Sequence, residues 1–168
     1  MSESFAVNVN AVKLRFASAH MATLGKELEP LHGHNYIVSC TVEGDITDDE
    51  WVIDFSVIKD SVRDACKILD HKFILQKDSS ILEIEEKTNE WQIVHDGHKY
   101  LFPKNDVIAL NIKNTTAENL AKWLFYSIKK DILTNNYSNI HNMTIEVEEM
   151  PTGEISAGAG IGTSGSQI

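Results

Sequence analysis

The sequence is short of cysteine, of positive charge and of long apolar runs, and each shortage removes a class of protein. Its two cysteines, Cys40 and Cys66, are too few for the disulfide framework of a small secreted fold. Both fall in apolar stretches and are expected as buried thiols in a reducing compartment. No run approaches the roughly 20 apolar residues that a membrane-spanning helix needs. No signal peptide is read at the start, so the expected place is the cytoplasm, with no membrane partner. Fifteen Lys and Arg stand against 25 Asp and Glu, a net charge of −10, which argues against a nucleic-acid partner. A small anionic substrate stays compatible, because a local pocket can oppose the global sign. No internal repeat or charge block is present. The length, 168 residues, suits one domain. A core of that size forms without disulfides or a structural metal, so a metal site here is expected to be functional.

The pattern predicts two long elements of each kind, with shorter ones between. Residues Phe5–Phe16 alternate loosely as a strand, with a slip near Asn10, and Ala17–Leu31 reads as a loop. Tyr36–Glu43 is a β-branched second strand. Asp54 stands at the N-cap of a helix over Phe55–Leu69, whose Val57, Ile58, Val62, Ala65, Cys66 and Leu69 share one face. A short apolar piece, Phe73–Leu75, follows. Ile81–Lys87, Trp91–Val94 and Tyr100–Phe102 read as extended, with His95-Asp96-Gly97-His98 a hairpin turn. Residues 79–104 are taken as a β-hairpin insertion, too small for a core of its own. Val107–Ile112 is a strand, Thr116 caps a helix over Ala117–Leu133, and Met143–Glu149 is the last strand. The Gly- and Ser-rich residues 151–168 are expected to form a flexible tail. Gly158, Gly160 and Gly162 lack the following helix that a phosphate loop needs. The class expected is α+β, an antiparallel sheet covered on one face, with one domain over residues 1–150.

Chemistry concentrates in Glu29-Pro30-Leu31-His32-Gly33-His34-Asn35-Tyr36. On a strand, residues two apart share a face, so His32 and His34 can grip one metal with Gly33 leaving the space between them clear. His20 ends the preceding strand-like run. Pairing the two strands would bring three imidazoles together, a catalytic zinc arrangement with an open fourth position. His95 and His98 flank a turn and are read as solvated rather than as a second metal site.

Five motifs then stand in order: Phe16-Ala17-Ser18-Ala19-His20, His32-Gly33-His34-Asn35-Tyr36, Val52-Ile53-Asp54-Phe55, Leu69-Asp70-His71 and Thr116-Ala117-Glu118-Asn119-Leu120-Ala121. Together they resemble the 6-pyruvoyltetrahydropterin synthase / 6-carboxytetrahydropterin synthase family over about residues 5–150. The resemblance implies a tunnelling fold, a four-stranded antiparallel sheet with two helices on one face. It implies subunits joined in a ring, usually a hexamer, with active sites between subunits. It also implies Zn2+ on His20, His32 and His34. Asp70 and His71 match the family's acid–base pair, and a carboxylate beside an imidazole raises its pKa toward neutrality. Glu149 matches the glutamate that anchors the pterin, accepting an amino group and a ring N–H side by side. Met150 stands where the family usually has threonine. Thr116 is expected to help hold the pterin edge, and Asp54 to act as a cap.

One departure sets the expected branch. The family's usual cysteine lies four residues before His-Gly-His, where this sequence has Leu28. Glu29, three residues before His32, instead resembles the type III pattern Glu-x-x-His-Gly-His. That branch implies cleavage of 7,8-dihydroneopterin triphosphate to 6-hydroxymethyl-7,8-dihydropterin for folate-type cofactors. It is a zinc-dependent carbon–carbon lyase reaction with Glu29 as general base or proton donor. Glu27 is a nearby candidate for the same role. Two rivals stay open. One is a 6-pyruvoyl- or 6-carboxytetrahydropterin synthase on the same substrate, a carbon–oxygen lyase. The other is a zinc- or pterin-binding module without turnover.

Overall fold

The computed structural model describes residues 4–134, 137–150 and 157–162. Its centre is a long antiparallel ladder between β1 (Phe5–His20) and β4 (His32–Gly44). The register runs from Phe5↔Gly44 to His20↔His32, with an irregularity between Asn10 and Arg15, where the sequence suggests a slip. Alternation then fixes the faces. Leu14, Phe16, Ser18 and His20 of β1 and Tyr36, Val38, Cys40 and Val42 of β4 are buried on one side. Their neighbours Ala17, Ala19, Ile37 and Ser39 are half-buried on the other. Strand β1 continues through Ala17–His20 rather than entering a loop, because Ser18 and His20 find partners on the covered side. Within the remaining segment, β2 (Thr23–Leu24) pairs with β3 (Glu27–Leu28) in a small hairpin. Its turn uses Gly25 at φ +64°, a conformation that costs glycine little.

Helix α1 (Phe55–Leu69) starts where expected: Asp54 accepts a hydrogen bond from the Ser56 amide. Helix α2 spans Ala117–Thr134. Ile58, Val62, Cys66 and Leu69 of α1 and Leu120, Leu124, Phe125 and Ile128 of α2 join the buried residues of β1 and β4 in the main core. Both helices cover the same face. Burial pushes both thiols, Cys40 and Cys66, up to about 12, so they act as small apolar side chains.

The sheet differs from the expected four antiparallel strands. It has six, in the order β11-β10-β4-β1-β5-β9. Strand β10 (Ile140–Met150) pairs antiparallel with β4, and β11 (Ala157–Gly162) with β10. At the other edge, β5 (Lys72–Gln76) runs parallel to β1, and β9 (Val107–Leu110) parallel to β5. Parallel strands are covered on both faces and read as continuous apolar runs, which is how Phe73-Ile74-Leu75 reads. Residues 157–162, expected in the tail, form β11. The rest of that tail lies outside the described residues.

The insertion is a three-stranded sheet rather than a two-stranded hairpin: β6 (Glu83–Glu86), β7 (Glu90–His95) and β8 (His98–Pro103). The expected turn is there, with Asp96 at φ 46° and Gly97 at φ 78°. Trp91 and Ile93 bury against Phe73 and Leu75 of β5, with Met21, Leu28 and Phe102 in the same cluster. Ile74 points the other way, into the main core. The insertion therefore covers the β5–β9 end of the face that the helices leave open. Among the described residues, no helix is long and apolar enough to cross a membrane.

Candidate metal centre and its surroundings

The β1–β4 register places His20 directly opposite His32, and His34 shares their face two residues on. The ring centroids of His20 lie 4.6 Å from His32 and 5.3 Å from His34, with 4.9 Å between His32 and His34. One nitrogen from each ring falls within 4.8 Å of the others. Gly33 lets β4 lie close against β1 here: a Cβ there would meet the Ser18 carbonyl oxygen at 3.0 Å.

The tautomers follow from the partners. A carbonyl oxygen accepts but cannot donate. His20 Nδ1–H therefore donates to the Thr115 carbonyl at 3.1 Å, with the Thr115 hydroxyl at 3.0 Å. His32 Nδ1–H donates to the Pro30 carbonyl at 2.7 Å. Each Nε2 is left with its lone pair, and the two Nε2 atoms face each other at 3.2 Å. Two facing lone pairs repel unless a cation or a proton sits between them. Burial and the charges of His32 and His34 pull His20 down to about 4, so this imidazole stays neutral, the form that binds metals. The donor set fits a metal ion, with carbonyls fixing the rings from behind. Among the described residues no other such group of three or more potential ligands occurs. His95 and His98 face each other across the β7–β8 hairpin without a third ligand.

Glu29 lies at the rim of this cluster. Its amide donates to the Ala22 carbonyl at 2.9 Å, and its Oε2 stands 3.9 Å from His32 Nε2, the metal-facing nitrogen. Glu27 lies in β3 opposite Leu24, which is 72% exposed. Of the two candidates, Glu29 is the one next to a ligand.

Asp70 and His71 lie beside Ala17, along the edge of β1. Asp70 closes α1 and its Oδ1 accepts the Ala17 amide at 2.8 Å. His71 sits at φ +56°, a conformation rare for side-chain-bearing residues. Its amide donates to the Ala17 carbonyl at 2.7 Å, and its Nδ1 is 2.9 Å from Asp70 Oδ2. Burial pushes the Asp70 carboxyl up, but the Ala17 amide and the His71 ring outweigh it and hold the group below its ordinary range. The His71 side chain is 84% exposed. It borders a groove of about 560 Å³ with Ala17, Ala19, Gly33, His34, Asn35 and Asp106. Ala17, Ala19, Gly33 and Asn35 alternate with the metal-side residues, so His71 opens mainly on the side of the sheet away from the His20 and His32 rings, while Asp70 caps α1.

Glu149 pairs across β10–β4 with Tyr36, while Glu148 pairs with Ile37. Tyr36 follows His34 on the covered face, so Glu149 is the glutamate on the metal side. The Tyr36 hydroxyl is buried without a hydrogen-bond partner among the described residues. Burial, and then the nearby Glu149 carboxylate, raise its pKa. Thr116 closes the first turn of α2, its carbonyl accepting the Leu120 amide at 3.0 Å and its hydroxyl accepting from Asn119 Nδ2 at 3.2 Å. Sequence reasoning missed its neighbours. Thr115, fully buried, orients His20. Asn114 binds both backbone groups of Thr23 at 2.8 Å. The signal available was the polar run Asn114-Thr115-Thr116 before a helix, which reads as capping alone.

The family model described as 6-pyruvoyl tetrahydropterin synthase matches residues 11–158. A Methanocaldococcus jannaschii protein, provisionally named 6-carboxy-5,6,7,8-tetrahydropterin synthase, is 34% identical over 137 residues, 81% of this chain and 84% of that protein. The solved Plasmodium falciparum 6-pyruvoyl tetrahydropterin synthase superposes with a TM-score of 0.87 at 34% identity, covering 96% of this chain and 99% of that one. The Plasmodium vivax enzyme gives 0.89 at 31% identity, with the same coverage. Two further structures of the Plasmodium vivax enzyme are catalytic-residue mutants, in which a glutamate is replaced by alanine or by cysteine.

Proposed function

Since this chain belongs to the 6-pyruvoyl tetrahydropterin synthase family of pterin-processing enzymes, we propose that it is a zinc-dependent lyase acting on 7,8-dihydroneopterin triphosphate. The reaction is cleavage of the side chain to 6-hydroxymethyl-7,8-dihydropterin, a step toward folate-type cofactors in the cytoplasm. The observation that carries this reading is Glu29, 3.9 Å from His32 Nε2, with Leu28 in place of a reactive cysteine and both cysteines buried elsewhere. The catalytic glutamate changed in the Plasmodium vivax structures supports assigning proton work to a glutamate here.

His20, His32 and His34 would hold the zinc. When bound it supplies positive charge that eases ionisation of a nearby hydroxyl. Glu149 accepts the pterin amino group and ring N–H, with Thr116 at the pterin edge. Glu29 removes the proton of the C2′ hydroxyl. The C1′–C2′ bond then breaks, leaving an aldehyde at C2′. Its electron pair moves to C1′ and into the dihydropterin ring, and a proton delivered to C1′ gives the hydroxymethyl product. Asp70 and His71 act as an acid–base relay, presented to the pocket of a neighbouring copy. Unpaired edges at β9 and β11 suit a ring of subunits, in this family reading a homohexamer.

A second reading is favoured by the name of the Methanocaldococcus jannaschii relative: a 6-carboxy- or 6-pyruvoyl-type synthase on the same triphosphate. Incubation with 7,8-dihydroneopterin triphosphate, with and without zinc, followed by mass analysis, separates the two. The hydroxymethyl pterin supports cleavage. A product with a carboxyl at C6 or an intact three-carbon side chain supports the synthase. No turnover under either condition rejects both.

A further inference from the structure

Three residues, Met21 to Thr23, join the ligand His20 to the hairpin that leads to Glu29, and side-chain amides hold both ends of this stretch. Gln76 of β5, 1% exposed, donates Nε2–H to the Met21 carbonyl at 3.0 Å. Asn114 grips Thr23 from both sides. Its Oδ1 accepts the Thr23 amide at 2.8 Å, and its Nδ2 donates to the Thr23 carbonyl at 2.8 Å. The bonds copy what a neighbouring strand residue would offer. Between the two clamped residues sits Ala22, whose carbonyl anchors the Glu29 amide at 2.9 Å. The same Asn114 Oδ1 also accepts the Thr115 amide at 2.9 Å, and Thr115 holds the His20 ring.

We propose that Asn114 is a positioning residue for the reaction. Its amide fixes Ala22–Thr23, and through the Ala22 carbonyl it sets where Glu29 stands beside His32. The inference rests on the reading of Glu29 as the proton-transfer group. Half of the Glu29 side chain is open to solvent, at 45% exposure, so little packing holds it and its placement depends on the backbone beneath. A misplacement of about 1 Å in a reacting group can cost ~100-fold in rate. The site calls for asparagine because it needs a donor and an acceptor in one flat group. Aspartate keeps the acceptor bonds and loses the donor; leucine keeps neither.

The test uses the zinc-loaded enzyme and 7,8-dihydroneopterin triphosphate, with Asn114→Asp, Asn114→Ala, Glu29→Gln and the two double variants. Both Asn114 variants should lower kcat about 10-fold or more at little change in KM. Zinc content should stay at the parent level, and amide hydrogen exchange at Thr23 and Glu29 should quicken. In the Glu29→Gln background the Asn114 changes should cost nothing further, since residues acting as a unit are not additive. An equal fold-loss in that background overturns the proposal, as does zinc loss from Asn114→Asp. Unchanged exchange at Glu29 overturns the link whatever Glu29 does. A Glu29→Gln enzyme at the parent rate instead rejects the role of Glu29 itself, and with it the purpose of the clamp.

Discussion

Near their shared end, β1 and β4 carry two unlike surfaces on one backbone. On the covered side, Phe16 stacks on Tyr36 at 4.6 Å and 15°, and beyond them the histidine rings close on one another with two of their nitrogens tied to carbonyls. On the open side stand Ala17, Ala19, Gly33 and Asn35, a groove, and an exposed His71 held in a left-handed conformation. The two surfaces differ by one residue of phase. The first is nearly finished within a single chain: the His20 and His32 tautomers are set, and His20 is held neutral. The second holds the Asp70–His71 pair in order beside an open groove. Under the proposed function, a reaction that uses both surfaces takes one from each of two copies.

The largest test breaks the finished side. His34→Ala should lower metal content from about one per chain to a small fraction and abolish turnover. Metal analysis showing full retention after any two of His20, His32 and His34 are replaced would reject the centre. Next, Glu29→Gln should keep metal and pterin binding yet lose roughly 100-fold or more of turnover, while Glu27→Gln changes little. If Glu27→Gln is the dead variant, the proton work belongs to the hairpin and not to Glu29.

A sharper test joins the two surfaces. Glu29→Gln and His71→Asn proteins, each inactive alone, should regain part of the parent activity when unfolded together and refolded as mixed assemblies. Recovery absent from correctly assembled mixtures would place both residues in the pocket of one chain. The smallest effect concerns acid stability. The Asp70 carboxyl is held below its ordinary value of 3.8, so its contribution is complete above that pH. It is lost as pH falls through the lowered folded value. Asn in its place should therefore destabilise the fold at neutral pH and make no difference in strong acid. Parallel melting curves from pH 7 to pH 2 would reveal a constant gap if the argument is wrong.

What the sequence discloses is local. His32 and His34 sit two apart on a strand, the Asp54 cap precedes an apolar helix face, and Asp96-Gly97 makes a hairpin; each rests on a few neighbouring residues. Spacing could not place His20 in the centre until pairing with β4 was known, and the irregularity after Asn10 shifts that register. The parallel pairing of β5 and β9 stayed hidden because short apolar runs do not state their neighbours. Strand β11 stayed hidden because Ala157–Gly162 consists mostly of glycine and alanine, which have little β preference. Asn114 acts on the backbone of distant Thr23, and Thr115 on the ring of distant His20, and such bonds leave no mark on composition or period.

The bond between His20 and Thr115 spans 95 positions, and that span is also an interval of time. Ribosomes add ~5–20 residues each second, so roughly 5–20 s separate the synthesis of the two residues. During that interval the emerging chain offers a potential ligand with an unfixed ring and, soon after, a His-x-His pair on an unpaired strand. The bond that sets the His20 tautomer can form only once the start of α2 has been made. A metal ion that met all three rings as they stand here would therefore meet a chain already made through the start of α2, later than the synthesis of the three histidines themselves.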